Sequence, residues 1–243
     1  MFIGMLARSA FVVLLGAPWL CGNAWANVIV VGTRVIYAAA EKEVTVRLEN
    51  SGDEAALVQL WADRGNDQLK ADNADAPFLI VPPITRIEPR KGQSIRLIYT
   101  QASVPNDRES VFWLNILDVP PLAKDRENYM QVAFRTRLKI FLRPDGLVDE
   151  PEQAPRSLSW ALVKGDKGMA LRATNPSPYY VSFNEVAAVT PTSTFKGTAG
   201  MIPPKSTAEI AIEGLPSQLP KGSSVRLNWV NDFGAVATLT RPL

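Results

Sequence analysis

Short apolar runs without a helical period are the feature that most constrains the fold of this chain. The runs are rich in Val, Ile, Leu, Tyr and Thr, and the turn-favouring residues Gly, Pro, Asn and Asp separate them. No stretch keeps the 3.6-residue apolar period that an amphipathic helix needs over several turns. The sequence therefore predicts an all-β fold. In such a fold Trp61, Trp113 and Trp160 are predicted to fill the core rather than to bind a ligand.

The predicted strands form two groups on either side of a polar, turn-rich passage at residues 144–152. Seven strands are predicted in the first group, at residues 34–38, 43–49, 55–61, 78–81, 93–100, 110–117 and 129–142. Six are predicted in the second, at residues 157–163, 170–173, 179–186, 208–212, 224–230 and 235–240. Seven short strands in about 115 residues are typical of an immunoglobulin-like sandwich. We therefore predict two such domains, at residues 27–146 and 147–243.

The first 26 residues have the pattern of a secretory signal peptide. Arg8 precedes an apolar run at residues 9–20, and Ala24-Trp25-Ala26 has small residues where a signal peptidase requires them. The run is too short for a membrane-spanning helix, which needs about 20 apolar residues. We predict that residues 1–26 are removed by cleavage after Ala26 and that the chain is exported.

The composition of the exported chain excludes several classes of function. The sequence has no histidine, which excludes Ser-His-Asp and Cys-His catalysis and His-ligated zinc. Its only cysteine lies in the predicted signal peptide, so no disulfide is expected. The mature chain has 25 basic and 24 acidic side chains, a balance that does not favour nucleic acid. Because no metal-ligand cluster or phosphate-binding glycine loop is present either, we expect no cofactor, no metal, no small-molecule substrate and no enzymatic activity.

The longest predicted strand, at residues 129–142, is about twice the usual strand length of five or six residues. One of its faces is apolar except at Thr136, and the other carries Arg135, Arg137, Lys139 and Arg143. The pattern alone favours a core strand with one solvated face. Its length favours a strand that pairs with a partner, because a long exposed edge is a template for further strands.

Seven sequence segments together resemble the periplasmic chaperones of the chaperone-usher pathway, the PapD-like family. The segments are TRVIY at 33–37, PPITRIEP at 82–89, DRESVFWLN at 107–115, VPP at 119–121, LKIFLRP at 138–144, NPSPYYV at 175–181 and NDFG at 231–234. Their order and spacing make the resemblance specific. It implies two immunoglobulin-like domains in a boomerang arrangement with a cleft between them, and a periplasmic location.

The resemblance also implies which residues bind a pilus subunit. By motif, Arg34 and Lys139 meet in the cleft and bind the carboxylate at the subunit's C-terminus. Met130, Val132 and Phe134 enter a groove on the subunit, completing its sandwich by donor-strand complementation. A one-residue slip would turn these apolar side chains away from the groove, so the carboxylate anchor would fix the register.

The parity of the long strand creates a difficulty for this arrangement. Lys139 lies on the opposite parity from Met130, Val132 and Phe134, so regular pleating points it to the other face. We predict an irregularity between Phe134 and Lys139, such as a bulge or added twist; otherwise the cleft must lie around a corner of the sheet.

The remaining implications concern the domain junction and the partners. Glu109, Arg143 and Asp232 are expected to form a salt-bridge network between the domains. The expected partners are pilus subunits and an outer-membrane usher, and the connection at residues 120–128 resembles the short-loop branch of the family. Self-association of the free chain stays open. The alternatives are a secreted sandwich such as a fimbrial subunit or, less favoured, a carboxylate-based glycosidase, for which no acid pair stands out.

Overall fold

The computed structural model describes residues 28–121, 131–166 and 168–243, which form two β-sandwich domains. The nine strands described in the first domain are β1 (Val28–Val30), β2 (Arg34–Ala38), β3 (Val44–Asn50), β4 (Ala56–Asp63), β5 (Phe78–Val81), β6 (Ile84–Ile87), β7 (Gly92–Tyr99), β8 (Ser110–Val119) and β9 (Phe134–Arg143). They form a four-stranded sheet in the order β1-β3-β7-β5 and a five-stranded sheet in the order β2-β9-β8-β4-β6. A short 3-10 helix lies at Ala71–Asn73.

The core of the first domain lies between these two sheets. Alternate residues of β9, namely Leu138, Ile140 and Leu142, point into it, and Leu48 and Ile95 of the other sheet pack against that layer. Burying each such side chain stabilises the fold by roughly 1.5–3 kcal/mol. The opposite face of β9 carries four cations and Phe141.

The edge of the five-stranded sheet contains the only parallel pair in the described part of that sheet, β2 with β9. Its register aligns Arg34 with Lys139 and continues to Ala38 with Arg143. The other pairs described in the sheet are antiparallel, and β8 pairs with β9 without interruption from Ser110–Leu142 to Asp118–Phe134. The strand that carries Lys139 is thus paired on both sides.

The second domain has a three-stranded sheet and a five-stranded sheet. Its strands are β10 (Ser159–Gly165), β11 (Gly168–Asn175), β12 (Val181–Val189), β13 (Thr194–Gly197), β14 (Gly200–Ile202), β15 (Ser206–Ala211), β16 (Ser224–Val230) and β17 (Val236–Pro242). The three-stranded sheet runs β10-β11-β15, and the other runs β13-β12-β16-β17 with β14 also paired to β12. A 3-10 helix at Pro151–Gln153 and helix α1 at Ala154–Ser157 precede β10. No helix in the described residues is long and apolar enough to cross a membrane.

The structure confirms the predicted all-β fold with two immunoglobulin-like sandwiches and corrects the strand list. Strands β1, β6, β13 and β14 were not predicted, because each has three or four residues and too few positions to establish a period. The long strand was predicted to begin at residue 129, but residues 131–133 belong to no strand and β9 begins at Phe134. Trp61 is buried and Trp160 packs against the core of the second domain, as predicted. The prediction is wrong for Trp113, whose partly buried ring lies beneath Arg137 and Lys139 of β9.

Candidate functional site

Arg34 and Lys139 are neighbours across the parallel pair of β2 and β9. The two residues are register partners, so they lie on strands about 4.8 Å apart and project from the same face of the sheet. That face is opposite to the one formed by Leu138, Ile140 and Leu142. The site therefore lies on the outer face of the first domain's five-stranded sheet.

Lys139 is a partly buried cation without a counter-ion among the described residues. Its ammonium lies 5.6 Å from the ring centroid of Trp113, its register partner on β8. Within residues 28–121, 131–166 and 168–243 it forms no hydrogen bond or ion pair. Burial, followed by the nearby Arg34 charge, lowers the pKa of Lys139 below the usual value of a lysine. An anion beside this ammonium would relieve both effects.

Arg34 connects the first domain to the second. Its Nη1 donates a hydrogen bond to the carbonyl oxygen of Val230 at 3.0 Å, and its guanidinium carbon lies 5.8 Å from the ring centroid of Phe141. Its Nε is buried and has no hydrogen-bond partner in the part of the chain that the structure describes. Burial lowers the pKa of Arg34, and the charges of Asp232 and Glu109 oppose that shift. The guanidinium remains charged at neutral pH and has donor capacity to spare.

These two side chains form a site suited to a carboxylate. Arg34 supplies a planar group with several donors, and Lys139 supplies a compact charge beside it. Two like charges at this spacing repel each other, and no described carboxylate lies within ion-pair distance of either. A bound carboxylate between the two cations would offset their mutual repulsion.

The predicted junction residues lie together on the other side of Arg34. Glu109 is 3% exposed, and Arg143 forms ion pairs with Glu109 at 2.7 Å and with Asp232 at 2.9 Å. The second carboxylate oxygen of Glu109 accepts a hydrogen bond from the backbone N–H of Tyr180 at 2.8 Å. Arg143 thus contacts one carboxylate from each domain, and both carboxylate oxygens of Glu109 have a partner.

A tight turn between β16 and β17 supports this junction. Asn231 Oδ1 accepts hydrogen bonds from the backbone N–H groups of Phe233 and Ala235, at 3.1 and 2.9 Å. Gly234 has a φ of 84°, and a Cβ there would lie 2.5 Å from Thr33 Oγ1, so glycine is required for both the turn and the close approach. The turn therefore fixes Asp232 next to Arg143.

A pocket between the domains lies next to the two cations. Arg34 borders it, and Lys139 lies outside it on the first domain. The pocket lining includes Arg34, Phe141, Arg143, Tyr180, Trp229 and Asp232.

The predicted donor residues lie on the other face of the strand. Phe134 is half-buried and shares the face of Leu138 and Ile140, and Val132, just before the strand, is 45% exposed. Met130 lies outside the described residues. The irregularity predicted between Phe134 and Lys139 is wrong, because the β8–β9 register is continuous through this stretch. Lys139 nevertheless lies beside Arg34. Strand β2 pairs with one edge of β9 and β8 with the other, and the β2 register aligns Arg34 with Lys139.

Sequence reasoning missed a second group of charged residues beside the site. Asp63 and Asn115 are both 0% exposed, and Asn115 Nδ2 donates a hydrogen bond to Asp63 Oδ2 at 2.6 Å. Arg137 pairs with Asp63 at 2.7 Å, and Arg135 donates to Asn115 Oδ1 from Nε at 2.9 Å. The shared parity of Arg135, Arg137 and Lys139 was visible in the sequence, but the carboxylate that contacts the two arginines comes from β4, 72 residues or more earlier.

Two family models match nearly all of the chain beyond the predicted signal peptide. The model for the PapD N-terminal domain of pili and flagellar-assembly chaperones matches residues 27–148. The model for the C-terminal domain of the pili assembly chaperone PapD matches residues 153–241.

Full-length relatives and solved structures agree with these matches. The probable fimbrial chaperone YadV of Escherichia coli K12 is 41% identical over 216 residues, which cover 86% of this chain and 87% of YadV. The chaperone protein FimB/FhaD of Bordetella pertussis is 37% identical over 238 residues, or 94% of both chains. The crystal structure of YadV matches with a TM-score of 0.78, covering 89% of this chain and 100% of that one. A structure of the Salmonella enterica SafA pilin in complex with the SafB chaperone matches with a TM-score of 0.72 at 25% identity, covering 89% and 96%.

Proposed function

The chain belongs to the PapD family of pilus assembly chaperones, a family without enzymatic activity, and we propose that it binds pilus subunits in the periplasm through Arg34 and Lys139. In this proposal the two cations bind the carboxylate at the subunit's C-terminus. The residues before β9 add a strand to the incomplete sandwich of the subunit. An outer-membrane usher then receives the subunit.

The observation that carries the proposal is the pairing of Arg34 with Lys139 without a counter-ion among the described residues. Partly buried cations are costly unless an anion compensates them, because burial removes hydration. A chain terminus is one such anion, and it occurs once in each subunit. Binding it therefore selects the end of a chain over internal acidic side chains that sit in folded surfaces.

The segment before β9 has the properties of a donor strand. Pairing of β8 with β9 ends at Asp118–Phe134, so residues 131–133 continue beyond it without a strand partner in the described residues. Val132 is exposed on the same parity as Phe134. An incomplete subunit sheet would gain main-chain hydrogen bonds from this segment and bury its apolar side chains.

Lys139 faces away from this apolar row, and the two contacts serve different purposes. The apolar side chains supply burial, at roughly 1.5–3 kcal/mol each before ordering costs. The cations on the other face hold one end of the subunit chain and so define where pairing begins. The SafB chaperone forms a complex with a pilin, which supports a subunit as the partner of this related chain.

The test is to co-express the chain in a bacterial periplasm with a pilus subunit of its own bacterium. The affinity tag is placed on the chaperone, because a tag at the subunit's C-terminus would block the carboxylate. Lys139→Ala should reduce the recovered subunit by at least about tenfold, since one charge-assisted hydrogen bond contributes about 1.5–3 kcal/mol. The chaperone itself should be recovered at the wild-type level.

Lys196→Ala is the matched control. Lys196 is an exposed lysine of the second domain that pairs with Glu185 at 2.8 Å, far along the chain from the anchor. Its loss should leave subunit recovery unchanged. Equal recovery with Lys139→Ala and Lys196→Ala would refute the carboxylate anchor.

A further inference from the structure

Four cations lie in one row on the outer face of β9. Arg135, Arg137, Lys139 and Arg143 have the same parity, so their side chains project from the same side of the strand. Arg137 and Lys139 even share an aromatic ring, because they lie 4.7 and 5.6 Å from the ring centroid of Trp113. By position alone, Arg137 offers a carboxylate a second place to bind next to Lys139.

This repetition creates a register problem that the apolar donor residues cannot solve. A slip of one residue would turn every apolar side chain away from the subunit groove, but a slip of two residues keeps the alternation. Two residues along a strand correspond to about 6.6 Å, which is the separation between the backbone positions of Arg137 and Lys139. A subunit shifted by that step would place its carboxylate beside Arg137.

Asp63 and Asn115 occupy Arg137, so a carboxylate of the subunit cannot bind there. Asp63 Oδ1 pairs with Arg137 Nη2 at 2.7 Å, and its Oδ2 lies 3.7 Å from Arg135 Nη2. Asn115 Oδ1 accepts hydrogen bonds from Arg137 Nε at 3.1 Å and from Arg135 Nη2 at 2.6 Å. Because Asp63 and Asn115 are fully buried, neither can turn towards water and release the arginines.

The far end of the row is neutralised in the same way. Arg143 is held by Glu109 and Asp232, at 2.7 and 2.9 Å. Every described cation on this face of β9 except Lys139 therefore has a carboxylate partner. Lys139 is therefore the cation on this face that the subunit's carboxylate can bind.

We propose that Asp63 and Asn115 are positioning residues that select the register of the bound subunit. By holding Arg137 and Arg135, they leave Arg34 and Lys139 as the place on this face of β9 that a terminal carboxylate can occupy. This inference rests on the proposed function. It adds a specificity step to the anchor, namely the rejection of a subunit whose C-terminus ends two residues short.

The length of the subunit tests this step. With the groove contacts at Val132 and Phe134 and the anchor at Lys139, the last residues of the subunit lie along β9 and end at Lys139. A subunit shortened by two residues at its C-terminus keeps its groove contacts and brings its carboxylate to Arg137. The probes are the native subunit recovered with the wild-type chain and the same subunit lacking its last two residues.

The experiment compares recovery of the two forms with each chaperone variant. The wild-type chain should favour the full-length form by at least about tenfold, which corresponds to the loss of one charge-assisted contact. Asp63→Asn frees Arg137 without changing side-chain shape, and the preference should fall below about threefold because the shortened form now binds. Adding Arg137→Gln to Asp63→Asn should restore the wild-type preference.

Asp53→Asn is the matched control, because Asp53 forms an exposed pair with Arg90 at 2.8 Å on the same domain. It should keep the wild-type preference. A general loss of structure would lower recovery of both subunit forms, whereas the preference between them changes only if register selection changes. If Asp63→Asn binds the full-length form and still rejects the shortened one, the inference is wrong. If Lys139→Ala also leaves full-length binding intact, the anchor itself is wrong.

A measurement on the wild-type chain tests whether a carboxylate binds at Lys139 or at Arg137, even if Asp63→Asn does not fold. Sodium acetate, a minimal carboxylate, is titrated into isotopically labelled protein, with sodium chloride at equal ionic strength as the reference. NMR signals of Arg34 Nε–H and of the Lys139 Cε–H groups should shift, and those of Arg135 and Arg137 Nε–H should not. An acetate shift at Arg137 as large as that at Arg34 would overturn the inference.

Discussion

The two halves of the outer face of β9 use the same kind of side chain for opposite purposes. Around Arg137, the guanidinium groups contact a carboxylate and an amide that are fully buried, and hydrogen bonds hold them in place. Around Lys139, two cations lie side by side and no described carboxylate lies within ion-pair distance. The strand, the spacing and the charge are alike in both halves. What differs is the location of the acidic partner.

The difference separates stability from binding. Breaking a buried ion pair by removing one member is costly, because the other charge stays buried and uncompensated. A cation that has no partner in the free protein contributes little to folding and is available to a ligand. We therefore expect substitutions in the paired regions to lower the free energy of unfolding, and substitutions of Lys139 to lower subunit binding.

The largest effect is expected at the domain junction, where one buried carboxylate contacts groups of both domains. Glu109→Ala removes a 3% exposed carboxylate that contacts both Arg143 and the N–H of Tyr180. The free energy of unfolding should fall by about 3–5 kcal/mol, which is typical when one member of a buried pair is lost. Urea denaturation would measure this change. Glu49→Ala, which breaks an exposed pair with Arg47, should change it by less than about 1 kcal/mol.

A smaller effect is expected from pH on subunit binding. The pKa of Lys139 is lowered by burial and by Arg34, and a bound carboxylate would raise it again. The bound state then keeps its proton at a pH where the free state has lost it, so binding weakens as the pH rises through the free pKa. Affinity should fall up to about tenfold per pH unit, beginning at a lower pH than the titration of exposed lysines.

Lys139→Arg is the control for this pH dependence, because a guanidinium stays charged throughout the accessible range. Its affinity should not fall over the same interval. Equal pH profiles for the two proteins, measured by calorimetry with the native subunit, would show that Lys139 does not titrate in the binding equilibrium.

The smallest effect is expected on stability when the anchor itself is removed. Lys139→Met keeps the aliphatic stem and deletes a cation that burial and Arg34 disfavour. The free energy of unfolding should stay the same or rise by less than about 1 kcal/mol, as happens when a buried charge is replaced by an apolar group of similar size. Guanidinium denaturation of the free chain would detect a loss of several kcal/mol, which would place Lys139 among the structural cations instead.

The family and the all-β fold were predicted correctly from the sequence because both rest on many positions at once. Strand patterns recur throughout both predicted domains, and seven motifs in order specify the family; the family-model matches confirm the resemblance. The start of β9 was predicted too early, at residue 129, because Val132 continues the apolar alternation of the strand. Alternation reports which side chains share a face and says nothing about where pairing with the neighbouring strand ends, here at Asp118.

The positions of Arg34 and Lys139 were available only through the motifs, and the Asp63–Asn115 group beside them was not available at all. Asp63 contacts Arg137 across 74 residues of sequence, and nothing in its local run marks it as fully buried. The parity difficulty at Lys139 arose from expecting the anchor and the apolar row to share one face of the strand. In the structure they lie on opposite faces of a regular strand: Leu138 and Ile140 point into the core, and Lys139 lies beside Arg34 on the outer face.

The measurement that tests the anchor most directly is a crystal structure of the chain in complex with its native subunit. The terminal carboxylate of the subunit should lie within about 2.7–3.2 Å of both Lys139 Nζ and a guanidinium nitrogen of Arg34, while Arg137 keeps its contact with Asp63. A complex in which the carboxylate lies beside Arg137, or away from β9 altogether, would contradict the proposed binding mode.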